Sequence, residues 1–224
     1  MIPSYAYSAL IDVLSYRYRL KQDIDSGVFT FKEDLERALS IFDSVNSAIF
    51  SVQAISDTII LTCNTHENFP EFLSILKEIF LAFLERGLYV RGGVAYSKHF
   101  HSGRLTYSHA VAKAYDIENM ISIYPRIVVD DNIIEMYSSS SKLPQIFKKN
   151  LLLQQNKVTF LNVIDAANWE KVYEFSSQLY TKDKEAIQQN ESAFLKHQWF
   201  ENYVFNSPYL NSSKKRYIEP IKEI

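Results

Sequence analysis

Phe50-Ser51-Val52-Gln53-Ala54-Ile55-Ser56-Asp57-Thr58-Ile59-Ile60-Leu61-Thr62-Cys63 holds two strand-like runs with only Ser56-Asp57 between them. Apolar and β-branched residues fill both runs, and so tight a join predicts a hairpin. Toward the N-terminus, Thr30 and Glu33 have capping-box spacing, and Leu35, Leu39, Phe42, Val45 and Ile49 then recur at helical intervals. Before that helix, Arg17 to Val28 is a polar connection, and Tyr5 to Leu14 is an apolar, aromatic strand. Toward the C-terminus, Pro70 to Arg86 predicts a broadly apolar helix opened by Asn68 and closed by Gly87. Leu88 to Tyr96 is a strand containing Gly92-Gly93, and glycines there signal a bulge or close approach to the backbone. Lys98 to Arg104 reads as a polar loop, Thr106 to Ile121 as a helix and Arg126 to Val129 as a short strand. Ser138 to Lys142 is a low-complexity turn and Val158 to Val163 a strand; Asn168 to Asn206 forms two helices broken near Asn190. The order β-α-β-β-α-β is that of a ferredoxin-like split unit in an α+β fold with a helical C-terminal elaboration. Residues 1–165 are expected to form the principal domain and 166–224 a helical extension packed on it.

Composition narrows the class. The 224 residues are 47% hydrophobic and 22% charged, a globular balance, and fifteen Phe with fifteen Tyr supply bulky core material. The single cysteine, Cys63, excludes an intrachain disulfide and any all-cysteine metal site. A net charge of -2 argues against a nucleic-acid coat. No window approaches ~20 consecutive apolar residues, and Met1-Ile2-Pro3-Ser4-Tyr5 lacks the basic and apolar regions of a signal peptide. A cytoplasmic protein with neither nucleic-acid nor membrane partners is the expectation.

Two acids lie where a charge is costly. Asp12 interrupts Leu10-Ile11-Asp12-Val13-Leu14, and Asp57 sits in the tight connection before Thr58-Ile59-Ile60-Leu61. A buried carboxylate is expensive unless paired, hydrogen-bonded or bound to a cation. Asp57 taken alone is an ordinary turn residue. In a ferredoxin-like sheet, however, the first strand lies beside the hairpin, so Asp12 and Asp57 converge. Two carboxylates at one edge make an oxygen-rich site for Mg²⁺ or Mn²⁺, with substrate phosphates completing the shell. His99 and His101 alternate, but lack a carboxylate or cysteine at ligand spacing and read as loop residues facing solvent.

These segments together resemble the class III nucleotidyl cyclases. Leu10-Ile11-Asp12-Val13-Leu14-Ser15-Tyr16 looks like their metal- and phosphate-binding strand end, and Ile55-Ser56-Asp57-Thr58 like their second metal-binding hairpin. Val90-Arg91-Gly92-Gly93-Val94-Ala95 is similar to the strand that follows the second helix. Ala114-Tyr115-Asp116-Ile117-Glu118 and Tyr124-Pro125-Arg126-Ile127-Val128-Val129 look closest to the small cyclases of bacterial Pycsar antiphage systems, which make cyclic pyrimidine nucleotides. The resemblance covers roughly residues 5 to 165 and makes the expected fold a cyclase homology domain.

The resemblance implies two ions per site, Mg²⁺ or Mn²⁺, held by Asp12, Asp57 and the Val13 carbonyl, with the Leu14, Ser15 and Tyr16 amides on phosphate oxygens. It implies a homodimer with shared active sites, and a product read by a separate cyclic-nucleotide-binding effector. Departures point away from purines. Ala112 and Asp116 stand where adenylyl and guanylyl cyclases carry an asparagine and an arginine, and Gln53 and Leu105 occupy the two base-reading positions. Arg91, Lys98, Arg104, Lys113 and Arg126 are the cations available to compensate a triphosphate, with Arg104 and Lys113 nearest the vacated positions. The expected activity is cyclisation of UTP, with CTP second. The alternative is a non-catalytic nucleotide-binding or dimerisation module of the same fold.

Overall fold

Ser4–Val13 form β1, the strand around which the first part of the chain is built. In this computed structural model, which describes residues 4–102, 104–138 and 150–219, the chain divides into two compact units, Met1–Val163 and Ile164–Ile224. β1 lies between β3 (Thr58–Cys63) and β4 (Val90–Ser102), antiparallel to both. Its residues Ala6 to Ile11 are all buried, as a central strand covered on both faces requires. β2 (Phe50–Ile55) pairs with β3 as the expected hairpin, Ile55 facing Thr58 across a turn whose Ser56 takes a left-handed φ of 59°. β5 (Leu105–Ser108) folds back on the far end of β4. β6 (Ile127–Val129) runs parallel to β4, and β8 (Val158–Leu161) and β7 (Leu152–Gln155) extend the sheet antiparallel. The spatial order β2-β3-β1-β4 is the ferredoxin-like arrangement, within a mixed sheet of order β2-β3-β1-β4-β6-β8-β7.

α3 (Phe69–Glu85) supplies the largest apolar face, burying Phe69, Phe72, Leu73, Leu76, Ile79, Phe80, Phe83 and Leu84. Each such side chain contributes about 1.5–3 kcal/mol. α4 (His109–Met120) is capped by Ser108, whose hydroxyl accepts from the Val111 amide. Gly93 explains its position: a Cβ there would overlap the Ala114 carbonyl oxygen and lie 2.9 Å from the Glu118 nitrogen. On the neighbouring residue, a Cβ at Gly92 would stand 2.6 Å from the Leu10 carbonyl oxygen. The pair therefore marks close backbone approach.

Several expected boundaries are corrected. Arg17 to Val28 is no connection: Tyr16–Ser26 form helix α1, closed by Gly27 in a left-handed conformation. The Thr30/Glu33 capping box does not form. Helix α2 (Thr30–Leu39) has Phe29 at its N-cap, and the Asp23 carboxylate of α1 accepts from the Phe31 and Lys32 amides instead. The expected helical run to Ile49 stops early, in a 3-10 turn at Ser40–Ser44. Asn68 precedes α3 but gives no side-chain cap; its amide donates to Glu71. The stretch Lys98 to Arg104 is largely strand, because the β1 pairing continues to His99 and β5 then takes over. The expected helix from Thr106 begins only at His109. Helix α5 (Asp131–Ser138) and strand β7 had no expected counterpart. The turn expected over Ser138 to Lys142 lies outside the described residues beyond Ser138.

The second unit holds α6 (Trp169–Lys182), α7 (Lys184–Gln188) and α8 (Glu191–Phe205). Asn190 marks the expected break and caps α8 by accepting from the Ala193 amide. Glu201, 2% exposed, accepts from the Tyr217 and Ile218 amides and pairs with Arg216, which fastens the chain after α8 to that helix.

Candidate active site

The end of β1 brings the two acids together through backbone pairing alone. Asp12 faces Thr58 on one side and Arg91 on the other. One residue further on, the Val13 amide donates to the Asp57 carbonyl at 3.0 Å. Asp57, just before Thr58, is thereby fixed beside the Asp12–Val13 peptide. The Leu14 amide donates to the Tyr89 carbonyl at 2.8 Å, so it is spent within the sheet and leaves the expected phosphate-binding set. Ser15 follows in a left-handed conformation (φ 65°) and opens α1 at Tyr16, whose ring packs edge-on against Phe31. The first amides of a helix have no partner inside it and form a place for anions.

Two further charges belong to this end of the sheet. Arg91 Nε lies 3.1 Å from Asp12 Oδ2, and Arg91 Nη2 lies 2.7 Å from Glu118 Oε1. Glu118 is 3% exposed. Burial pushes its carboxyl above the usual range, Arg91 opposes that rise, and Asp12 and Asp57 add to it by repulsion. Asp12 and Glu118 thus share one guanidinium while Asp57 adds a third negative charge nearby, an excess suited to a divalent cation. Among the described residues no three His, Cys, Asp or Glu side chains form a ready-made metal cage. Asp12 and Asp57 fit Mg²⁺ or Mn²⁺ as a pair of hard oxygen ligands whose remaining positions fall to water or phosphate. Arg91, one of the cations available to compensate a triphosphate, has its Nε on Asp12 and its Nη2 beside Glu118. Glu118 went unread as a site residue; its signal was a charge at helical spacing from Ala114 on a helix that Gly93 admits to the sheet.

The other candidates separate. Lys113 on α4 is tied to Asp130, just after β6. Arg104 follows Ser102 at the opposite end of β4 from Arg91; thirteen residues of strand span about 40 Å along the chain. Arg104 therefore cannot serve the Asp12 site of its own chain. Gln53 lies on β2 opposite Ile60. It lines a shallow cleft, with room for about one water molecule, together with Ser51, Ile60, Thr62, His99, His101 and Thr106. Thr106, rather than Leu105, joins it there, and Leu105 is exposed. His99 and His101 are strand residues rather than a loop; His101 faces solvent as expected and His99 does not. His99 is buried against the Ser108 hydroxyl at 2.9 Å, and burial, then His101, lowers its pKa. His101 pairs with the Thr106 hydroxyl at 2.9 Å. The cleft wall is polar and carries no acid, Lys or Arg.

No family model and no curated protein sequence matches the chain. Among solved structures it is similar to cyclase domains. The guanylate cyclase domain of RhGC from Catenaria anguillulae, in complex with GTP, superposes with a TM-score of 0.46 at 13% identity, over 74% of this chain and 100% of that one. The monomeric guanylyl cyclase domain of the RhoGC fusion protein from the aquatic fungus Blastocladiella emersonii gives 0.46 at 11% identity, over 71% and 95%. A bacterial light-regulated adenylyl cyclase gives 0.40 at 11% identity, over 80% and 57%. These are likenesses of shape.

Proposed function

We propose that this chain is a nucleotidyl cyclase that converts a pyrimidine nucleoside triphosphate, UTP before CTP, into the 3′,5′-cyclic monophosphate and pyrophosphate. The observation that carries the reading is the convergence of Asp12 and Asp57 on one peptide at the end of β1, beside the first turn of α1. In the reaction the ribose 3′-oxygen attacks the α-phosphorus, its hydroxyl proton passes to water, and the bond to the β-phosphate oxygen breaks to release pyrophosphate. Asp12, Asp57 and the Val13 carbonyl would hold two ions, Mg²⁺ or Mn²⁺. Bound there, the ions would neutralise phosphate charge and acidify the attacking hydroxyl. The chain's own groups orient the triphosphate: the α1 N-terminus, with Ser15 and Tyr16 amides, offers N–H donors to its oxygens. Gln53 supports the choice of base. Its amide carries both a donor and an acceptor for the edge of a pyrimidine, in a shallow cleft lined by no Asp, Glu, Lys or Arg.

Exposed apolar side chains on β5 and at the hairpin tip, Leu105, Tyr107 and Ile55, support a homodimer in which the sites are shared. Such a partner could bring the Arg104 that its own chain places too far away. By the sequence resemblance, the product is a signal for a separate effector in antiphage defence, and the chain is cytoplasmic. No helix among the described residues is long and apolar enough to cross a membrane.

A non-catalytic nucleotide-binding module draws on one observation, the ion pair that already partly neutralises Asp12. Incubation with each of the four nucleoside triphosphates and Mn²⁺, followed by product analysis, decides between the two. A cyclic pyrimidine product is expected, and Asp57→Ala is expected to lower turnover by on the order of 10²-fold or more, the usual cost of removing such a charge-stabilising group. Absence of any cyclic product from a folded protein selects the module; a purine product overturns the pyrimidine assignment.

A further inference from the structure

Arg91 is one cation divided between two acids. Its partner Asp12 is imposed by the β1–β4 register, in which the two residues face each other directly. Its partner Glu118 is imposed by α4, which Gly93 admits so closely that a Cβ there would touch the Glu118 backbone. The two contacts are unequal. The Glu118 contact is shorter, 2.7 Å against 3.1 Å, and the Glu118 side chain is 5% exposed against 24% for Asp12. Coulomb attraction grows as water is excluded, so the buried Glu118 charge pulls on the guanidinium, while its hydrogen bond goes from Nε to Asp12 Oδ2. A planar guanidinium freed from Glu118 would instead close on Asp12 with two parallel N–H donors, the strongest geometry open to it. That would cover both Asp12 oxygens and cancel its charge.

We propose that Glu118 is a positioning residue that keeps Arg91 from closing on Asp12 with two donors and thereby sets the affinity of the Asp12–Asp57 pair for a divalent cation. The proposal rests on the reading of that pair as a cation site. It also assigns Arg91 a role in the free protein, that of an internal competitor whose grip on Asp12 is limited by a buried acid.

The test is titration of the full-length protein with Mn²⁺ alone, without nucleotide, following free Mn²⁺ by electron paramagnetic resonance. Glu118→Gln is expected to weaken Mn²⁺ binding about tenfold, and Arg91→Met to tighten it several-fold. The deciding measurement is the double variant. If Glu118 acts through Arg91, Glu118→Gln has little effect once Arg91 is Met. An undiminished tenfold loss in that background means that Glu118 acts by its own charge across space, and overturns the proposal, as does an unchanged affinity in Glu118→Gln. If Arg91→Met does not fold, Arg91→Lys replaces it: a point-like ammonium engages one acid at a time, so the Glu118→Gln loss shrinks in that background too. Wild-type protein that binds Mn²⁺ no better than Asp12→Asn overturns the cation-site reading itself, and the proposal with it.

Discussion

At Gly93 the backbone of β4 is in contact with a helix, and no side chain fits between them. Gly93→Ala would drive its methyl into the Ala114 carbonyl oxygen and within 2.8 Å of the Ile117 Cβ. Neither is the loose end of a flexible side chain, so relief requires moving α4. Overpacking of this kind costs about 1–3 kcal/mol and sometimes more. Urea unfolding of Gly93→Ala is expected to show a loss at the top of that range or beyond it, and a Mn²⁺ affinity altered with it, because α4 carries Glu118. Glu118 itself yields a prediction in the opposite direction. Its raised pKa means that the native chain keeps this proton to higher pH than the unfolded chain does. Unfolding in that window releases a proton, so stability falls as pH rises from the ordinary value near 4.5 through the raised one. Glu118→Gln never carries the buried charge, and Arg91 retains Asp12 as a partner. In the presence of a chelator, Glu118→Gln is expected to melt at least as high as wild type at alkaline pH, with the difference closing as pH falls toward 4.5. A lower melting temperature for the variant across that whole range would mean that the Arg91 pair outweighs the cost of burial.

The α1–α2 pair shows how an element can be held by a residue from its neighbour. Mean composition hides α1, since Tyr16–Ser26 is mostly polar and its buried residues are Arg19 and Asp23. The helix is stabilised by what Asp23 does in three dimensions: its carboxylate takes the place of an N-cap for α2, accepting from Phe31 at 3.1 Å and Lys32 at 3.3 Å. Loss of an N-cap costs about 0.5–2 kcal/mol, and this cap is buried and also joins two helices. Asp23→Ala is expected to lose about 2 kcal/mol in chemical denaturation, whereas Thr30→Ala, at the position where a capping box looked set to form, is expected to lose much less. Equal losses in the two variants would restore Thr30 as the cap. At β4 the same lesson runs the other way. The polar residues Lys98 to Ser102 look like a loop, yet cross-strand bonds to β1 and then to β5 keep the segment extended, and the pairs His99–Ser108 and His101–Thr106 satisfy its polar side chains.

On the scale of the whole molecule, Cys63 reports the integrity of the first unit. It is fully buried at the end of β3, opposite Tyr7, and burial raises its thiol pKa. The thiolate is the reactive form, so a disulfide reagent is expected to modify the native chain far more slowly than the urea-unfolded chain. Rapid labelling under native conditions would show that the β1–β3 pairing opens locally. The hairpin, the apolar helix α3, the central strand and the convergence of Asp12 with Asp57 were all legible in the linear sequence, because each rests on short-range periodicity or on the neighbour order of one common unit. The polar helix α1, strand β5 and the partners of Gln53 were not, because their stabilising contacts come from residues distant along the chain. Arg91 and Glu118 make the distinction sharpest. Sequence alone offered Arg91 as a cation for phosphate and Glu118 as one more charge on a helix. Only the tertiary structure could decide that strand register puts Arg91 against Asp12 while a missing Cβ at Gly93 brings Glu118 within reach. Charge interactions depend on distance and on exclusion of water, and neither quantity exists until the chain is folded.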